Sequence, residues 1–305
     1  MTLCTSFKVG SLSCHLIEGG TQQLDGGAMF GVVPKPLWQK RIAPDERNRI
    51  SLALRCLVVE HPEGLILVDT GVGNKEDEKF HDIYGIENAG IEGATQLEDA
   101  LAQAGHRPED VRWVVNTHLH FDHGGGNTAG TSAGAARAAG AAGAGVGAEL
   151  AFPDATYVVQ RGELEFARWD NERIRASYLP ANFEPVAEAG RWELVEGETE
   201  LLPGIRLVPT PGHTPHHQSV LVADGGETAC FLGDVVPTSA HVPLPWIMGY
   251  DVEPLVTLES KRELLGAAVA GGWLVLFEHD PVVVAGRVAE GRRGLEVVEP
   301  IRLTD

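Results

Sequence analysis

The sequence predicts an α/β (α+β) fold, a sandwich of strands and helices, on three observations. Short runs rich in branched and aromatic residues, the signature of strands, recur from residue 52 to residue 280 and are interspersed with helix-periodic segments. Turn-forming Gly and Pro punctuate them. A content of 43% apolar and 22% charged residues lets a chain of 305 residues bury a substantial core. We read residues 1–305 as one domain, with an N-terminal extension over about residues 1–50 and an insertion over about residues 129–149.

The first elements are "LALRCLVVE" (52–60) and "GLILVDTG" (64–71), two apolar runs joined by the turn-forming "HPEG", which predict a hairpin. "TQLEDALAQAG" (95–105) places Leu97, Ala100, Leu101 and Ala104 at helical spacing, with Thr95 and Glu98 as a capping box and Gly105 as the stop. "VRWVVNTHLHFDHGG" (111–125) opens as a short buried strand and runs into a histidine-rich loop. Residues 129–149 are nearly all Ala and Gly. Alanine favours helix and each interior glycine costs about 1 kcal/mol, so the segment reads as a weak helix or mobile loop inserted at the surface. Further on, "ATYVVQ", "GIRLVPT", "QSVLVAD", "TACFLGD" and "WLVLFEHD" predict strands, and "PLVTLESKRELLGAAVA" (254–270) predicts a helix.

Charge and cysteine usage narrow the function classes. Forty-three acidic against 24 basic residues give a net charge of −19, which disfavours nucleic acid and anionic membrane surfaces as partners. No Lys/Arg run exceeds two residues, no run of eighteen apolar residues occurs, and the N-terminus lacks a continuous apolar segment, so a cytoplasmic location is expected. Cys4, Cys14, Cys56 and Cys230 are scattered without C-x-x-C spacing and read as reduced, mostly buried thiols.

The chemistry concentrates at strand ends. "HLHFDH" supplies His118, His120, Asp122 and His123 directly after an apolar strand. In an extended or turning backbone His118 and His120 can face one way, leaving Asp122 and His123 for a second centre nearby. Four ligands are too few for two metals, and three later strands end in further candidates: His213 after "TPG", Asp234 in "FLGD" and His279 in "LFEHD". Nitrogen and carboxylate ligands suit zinc first, and also iron, manganese, cobalt or nickel. Glu278, beside His279 in a strand, is expected to point the opposite way.

This set resembles the metallo-β-lactamase superfamily over roughly residues 50–285, with the HxHxDH motif as its most specific element. The resemblance implies a four-layer αβ/βα sandwich with two divalent metal ions at one edge. It implies that His118, His120 and His213 hold one ion, that Asp122, His123 and His279 hold the other, and that Asp234 bridges them. Asp69 in "VDTG" would support the metal loop without binding metal, and His217 is expected to do the same. His216, where relatives usually have glycine, reads as solvent-facing or pocket-lining.

Two ions sharing a hydroxide imply hydrolysis, with Asp122 and Asp234 as the catalytic carboxylates and Asp122 orienting the nucleophile or carrying a proton to the leaving group. Within the superfamily the motifs look most like acyl-homoserine lactone lactonases and their organophosphate-hydrolysing cousins. The expected substrate is therefore a small molecule, a lactone or carboxylic ester. A phosphotriester, or metal-retaining ligand binding without turnover, is the alternative. "AMFGVVPKPLW" (28–38) and "VPLPWIM" (242–248) could wall a pocket through Phe30, Trp38, Trp246 and Met248, or pack in the core or a homodimer interface. Such lactonases commonly carry a tyrosine three residues after the bridging Asp. Pro237 stands there, so either Thr238 or His241 substitutes or the substrate differs, and His241 reads equally as a satisfied loop histidine. Other branches fit less well. Only 26 residues follow His279, short of the C-terminal domain of glyoxalase II, and flavo-diiron proteins usually place Glu where His120 stands.

Overall fold

Strand β3 (Arg49–His61) sets the layering, because both of its faces are buried. Leu57 and Val59 enter one apolar cluster while Cys56 and Val58 enter another on the opposite face. A strand covered on both sides reads as a continuous apolar run rather than an alternation, which is how residues 52–59 appear in the sequence.

The computed structural model describes residues 2–130 and 148–303. In the first sheet β1 (Cys4–Val9), β2 (Leu12–Asp25), β3 and β4 (Gly64–Val68) follow one another antiparallel. The β3–β4 register runs from Leu57 opposite Val68 to His61 opposite Gly64, so the "HPEG" turn is the expected hairpin. Next come β5 (Val111–Val115), a two-stranded ribbon of β6 (Thr128–Gly130) and β7 (Ala148–Leu150), then β8 (Thr156–Gln160) and β9 (Trp192–Val195). Strands β5, β8 and β9 join the first sheet in parallel beyond β4.

The second sheet holds β10 (Thr199–Leu202), β11 (Ile205–Pro209), β12 (Gln218–Asp224), β13 (Glu227–Phe231), β14 (Leu274–Leu276), β15 (Val283–Gly291) and β16 (Gly294–Arg302) in sequence order. Only β13 and β14 pair in parallel there, the crossover being the helix Pro254–Gly271.

The two sheets face each other across one core, in which Leu57, Val68 and Val115 meet Leu207, Val220 and Phe231. Helices cover both outer faces. Leu97, Ala100 and Leu101 of the helix Gln96–Gln103 pack on the first sheet, and Leu264, Leu265 and Ala268 of the helix Pro254–Gly271 pack on the second. This is the four-layer αβ/βα sandwich. Thr95 caps the Gln96–Gln103 helix through its hydroxyl and Glu98 N, but the backbone N–H that the Glu98 carboxylate accepts from is that of Ala94 rather than that of Thr95.

Residues 1–50, set apart as an extension by the sequence, contribute β1 and β2 to the first sheet and two short helical turns, Gly26–Phe30 and Lys35–Trp38. Of the Ala/Gly-rich stretch, the described ends form β6 and β7, with Gly130 opposite Ala148; residues 131–147 lie outside the described residues.

Candidate metal centre

The loop after β5 carries the first histidines. At its base Asp69 takes a left-handed backbone conformation, φ 57°, which disfavours most side chains by about 1 kcal/mol or more. Its carboxylate accepts from Thr117 N at 2.8 Å, from Thr117 Oγ1 at 2.6 Å and from His123 Nδ1 at 3.1 Å, so one buried group ties strand β4 to the loop. The loop then turns into the short helix Phe121–Gly124, which brings His123 back beside His118, ring centroids 3.9 Å apart.

Two clusters of donor atoms result. His118, His120 and His213 offer one set within 4.8 Å of one another, and Asp122, His123 and His279 offer a second. Within them His213 Nε2 lies 3.1 Å from His120 Nδ1, and His279 Nε2 lies 3.1 Å from His123 Nε2. Asp234 stands between the clusters. Its Oδ2 is 3.2 Å from His213 Nε2 while its Oδ1 is 3.1 Å from His279 Nε2. The residue reaches this point because Gly233 adopts φ 56°, and a Cβ there would come within 2.7 Å of His217 Nε2. His217 lies behind the cluster, its Nε2 accepting from Asp234 N at 3.0 Å and its Nδ1 meeting Thr210 Oγ1 at 2.8 Å.

The donor set fits divalent cations. His118 Nε2 is buried without a hydrogen-bond partner among the described residues, a costly state for a polar atom unless something else engages it. Ligand bonds of about 2.0–2.2 Å place neighbouring ligand atoms roughly 3 Å apart, near the separations across each cluster.

The electrostatics point the same way. Burial and the facing histidines hold His118 and His120 well below the usual imidazole pKa, so both stay neutral and able to ligate. Burial opposes charge on His279 too, but Asp234 and Glu278 outweigh it and raise that pKa to about 9. A pocket whose carboxylates favour a proton at that position equally favours a metal cation there.

Outer partners fix three of these rings. His118 Nδ1 meets Thr117 Oγ1 at 3.0 Å, His213 Nδ1 meets Asp251 Oδ1 at 2.9 Å, and His279 Nδ1 meets Ala53 O at 2.7 Å. Glu278 departs from expectation. It is fully buried with Oε1 3.0 Å from His123 Nδ1, because β14 ends at Leu276 and strand alternation no longer governs its direction. Burial pushes its carboxyl up to about 8. Glu163, another residue the sequence did not single out, accepts from Leu119 N, Tyr178 Oη and Thr214 Oγ1, joining the His118–His120 loop to the His213 loop. Gln22 of β2 donates to Asp122 Oδ2. Asp251, Glu163 and Gln22 come from distant segments and carry no local motif.

A cavity of about 200 Å³ opens over the cluster, with His120, Asp122, His213, Asp234 and His279 at its floor. Leu24, Met29, Leu52, Phe121, Ile174, Met248 and Val252 form apolar wall, and Tyr84, Tyr250 and Arg173 add polar groups. Of the six residues expected at the substrate wall, Met248 alone is among those lining this cavity.

The other five pack behind it. Phe30 is sandwiched between Trp38, centroids 5.2 Å apart, and His241 at 4.6 Å, with Trp246 edge-on to it. Thr238 Oγ1 bonds His241 Nδ1 at 2.8 Å, and His241 Nε2 lies 2.8 Å from Met29 O, so neither side chain has a donor left for a substrate carbonyl. His216 is exposed, its ring lying over Gly162, where a Cβ would come within 2.4 Å of it. Cys14, Cys56 and Cys230 are buried and Cys4 is partly so, all as free thiols.

Known proteins resemble the chain in sequence and fold. The model of the metallo-beta-lactamase superfamily matches residues 55–279. An N-acyl homoserine lactonase of Bacillus sp. is 32% identical over 256 residues, covering 81% of this chain and 86% of that protein. Among solved structures, a probable metal-dependent hydrolase from Staphylococcus aureus aligns with a TM-score of 0.82 at 29% identity, over 97% of this chain and 100% of that one. A dizinc quorum-quenching lactonase in complex with a homoserine product aligns at 0.77 and 19% identity, covering 100% of both chains, a likeness of fold.

Proposed function

Because the chain belongs to the metallo-beta-lactamase superfamily, we propose that it is a dinuclear metal-dependent hydrolase that opens a lactone or carboxylic ester of the N-acyl homoserine lactone kind. The observation that carries the reading is the splayed carboxylate of Asp234, one oxygen at 3.2 Å from His213 and the other at 3.1 Å from His279. In this reading His118, His120 and His213 hold one ion, Asp122, His123 and His279 hold the other, and Asp234 spans both. When bound, two zinc or similar ions would polarise the scissile carbonyl and lower the pKa of water.

The chain's own residues do the rest. Gln22 holds one oxygen of Asp122, steadying a carboxylate at the cavity floor that can carry a proton to the departing alkoxide. Burial pushes the Tyr250 phenol up to about 12, so it stays protonated and can donate to a substrate carbonyl in place of the tyrosine that Pro237 supplants. The apolar wall suits an acyl chain and excludes water from it, and the net charge of −19 works against polyanionic substrates.

The test is a hydrolysis panel of acyl-homoserine lactones, aryl esters, phosphotriesters, phosphodiesters and β-lactams on protein of measured metal content. Lactones or esters should show the highest kcat/KM, in proportion to bound metal. A phosphotriester in first place would make this an organophosphate hydrolase, and no turnover with both ions bound would make it a binding protein.

A further inference from the structure

Away from the cavity, three metal-ligating side chains meet on the helix-bearing face of the first sheet. His15 lies on β2, Glu60 on β3, and His106 follows the Gln96–Gln103 helix. His15 and Glu60 point to this face because their neighbours Ile17 and Val58 pack beneath that helix, while Cys14, Leu16, Leu57 and Val59 point into the inter-sheet core. Gly105 at φ 89° ends the helix and turns the chain back, and His106 N donates to Leu101 O at 2.9 Å, which fixes where the imidazole starts.

The convergence is tight. His15 Nε2 is 3.3 Å and His106 Nε2 is 2.9 Å from the same oxygen, Glu60 Oε1, and all three donors lie within 4.8 Å of one another. The other nitrogen of His15 is engaged by Ser6 Oγ at 2.8 Å, which orients Nε2 towards the cluster. No Lys or Arg forms an ion pair with Glu60 among the described residues. Zinc bonds of about 2.0–2.2 Å separate neighbouring tetrahedral ligands by roughly 3.3 Å, close to the 3.3 Å and 2.9 Å that separate the two imidazole nitrogens from Glu60 Oε1.

We propose that His15, Glu60 and His106 form an additional mononuclear site for a divalent transition cation, zinc first, which clamps the turn after the Gln96–Gln103 helix to the β2–β3 pair. Two imidazoles and a carboxylate suit zinc, nickel, cobalt and copper over calcium or magnesium. Glu60 is 40% exposed at its side chain, so water completes the coordination and the ion exchanges with solvent. The site does not depend on the hydrolytic reading.

The experiment compares wild type with His15→Ala and His106→Ala, each loaded at the main centre and dialysed against buffered zinc. Wild type should hold one more ion per chain than either variant, and its thermal melt should rise with added zinc while theirs does not. Ester turnover should be the same in all three. Equal metal content in the three proteins would overturn the proposal, and so would a zinc-dependent melt that survives both substitutions. A triad held only by hydrogen bonds would give equal metal content with lower zinc-free melts in the variants. The readout is a difference between proteins, so it stands whatever the main centre holds.

Discussion

Asp251 accepts a hydrogen bond from His213 Nδ1 at 2.9 Å across 38 residues of chain, and with the proton held there the Nε2 lone pair points at the metal cluster. Carboxylates in this position fix the tautomer of a ligating imidazole and raise its basicity. Asp251→Asn keeps the size and removes the charge. It should weaken metal affinity by about 10–100-fold while leaving the fold intact. Competition with a chelator, read beside the circular dichroism spectrum, measures it, and an unchanged affinity would remove Asp251 from the support of His213.

Arg55 carries the link from core to site. Its guanidinium donates to Glu18 at 2.6 Å and to the carbonyls of Phe277 at 2.6 Å and Asp280 at 3.2 Å, so a fully buried cation holds the segment that presents His279. Arg55→Met leaves Glu18 buried without its partner and removes the guanidinium donor from the carbonyls of Phe277 and Asp280. The expected loss is about 3–5 kcal/mol of stability, together with weaker metal retention. Denaturant titration of the metal-loaded protein checks the first, and a loss below about 1 kcal/mol would mean that the pair is dispensable.

The residues legible in the sequence were those whose signal is local. HxHxDH, the strand-end His213, Asp234 and His279, and Asp69 all sit within a few residues of an apolar run that announces a strand, and the structure brings them together. Asp251 and Gln22 have no such marker, since the hydrogen bond of Gln22 to Asp122 spans 100 residues. The substrate wall failed for a different reason: apolar and aromatic residues look alike whether they line a cavity or fill a core. Phe30 and Trp38 fill, whereas Tyr84, Tyr250 and Ile174 line. Glu278 lies beyond the end of β14 at Leu276, where strand alternation no longer predicts the direction of a side chain.

The β6–β7 ribbon predicts how far the Ala/Gly-rich segment can be cut. Gly130 pairs with Ala148, so two residues can close the ribbon as a hairpin loop. Replacing residues 131–147 with Asn-Gly, which favours the type I′ turn such hairpins use, should leave metal content and soluble yield unchanged. Metal analysis and a thermal melt of the shortened protein test this. Loss of metal would show that the segment helps build the centre, and altered substrate preference alone would assign it to the cavity mouth.

Asp234→Ala tests the centre itself. A carboxylate with one oxygen towards His213 and the other towards His279 can offset the repulsion of two cations, and alanine offers neither charge nor ligand. His118, His120 and His213 would remain as a three-histidine site, so metal content should fall from about two ions per chain towards one. Turnover should fall by far more than the change in stability explains if, as proposed, polarising the carbonyl and activating water would need both cations. An Asp234 that served only to shape the turn after Gly233 would behave otherwise, costing about 1 kcal/mol on substitution and leaving the ions in place. Metal analysis of the purified variant beside its melt separates the two cases: retention of both ions with near-normal hydrolysis would take Asp234 out of the centre.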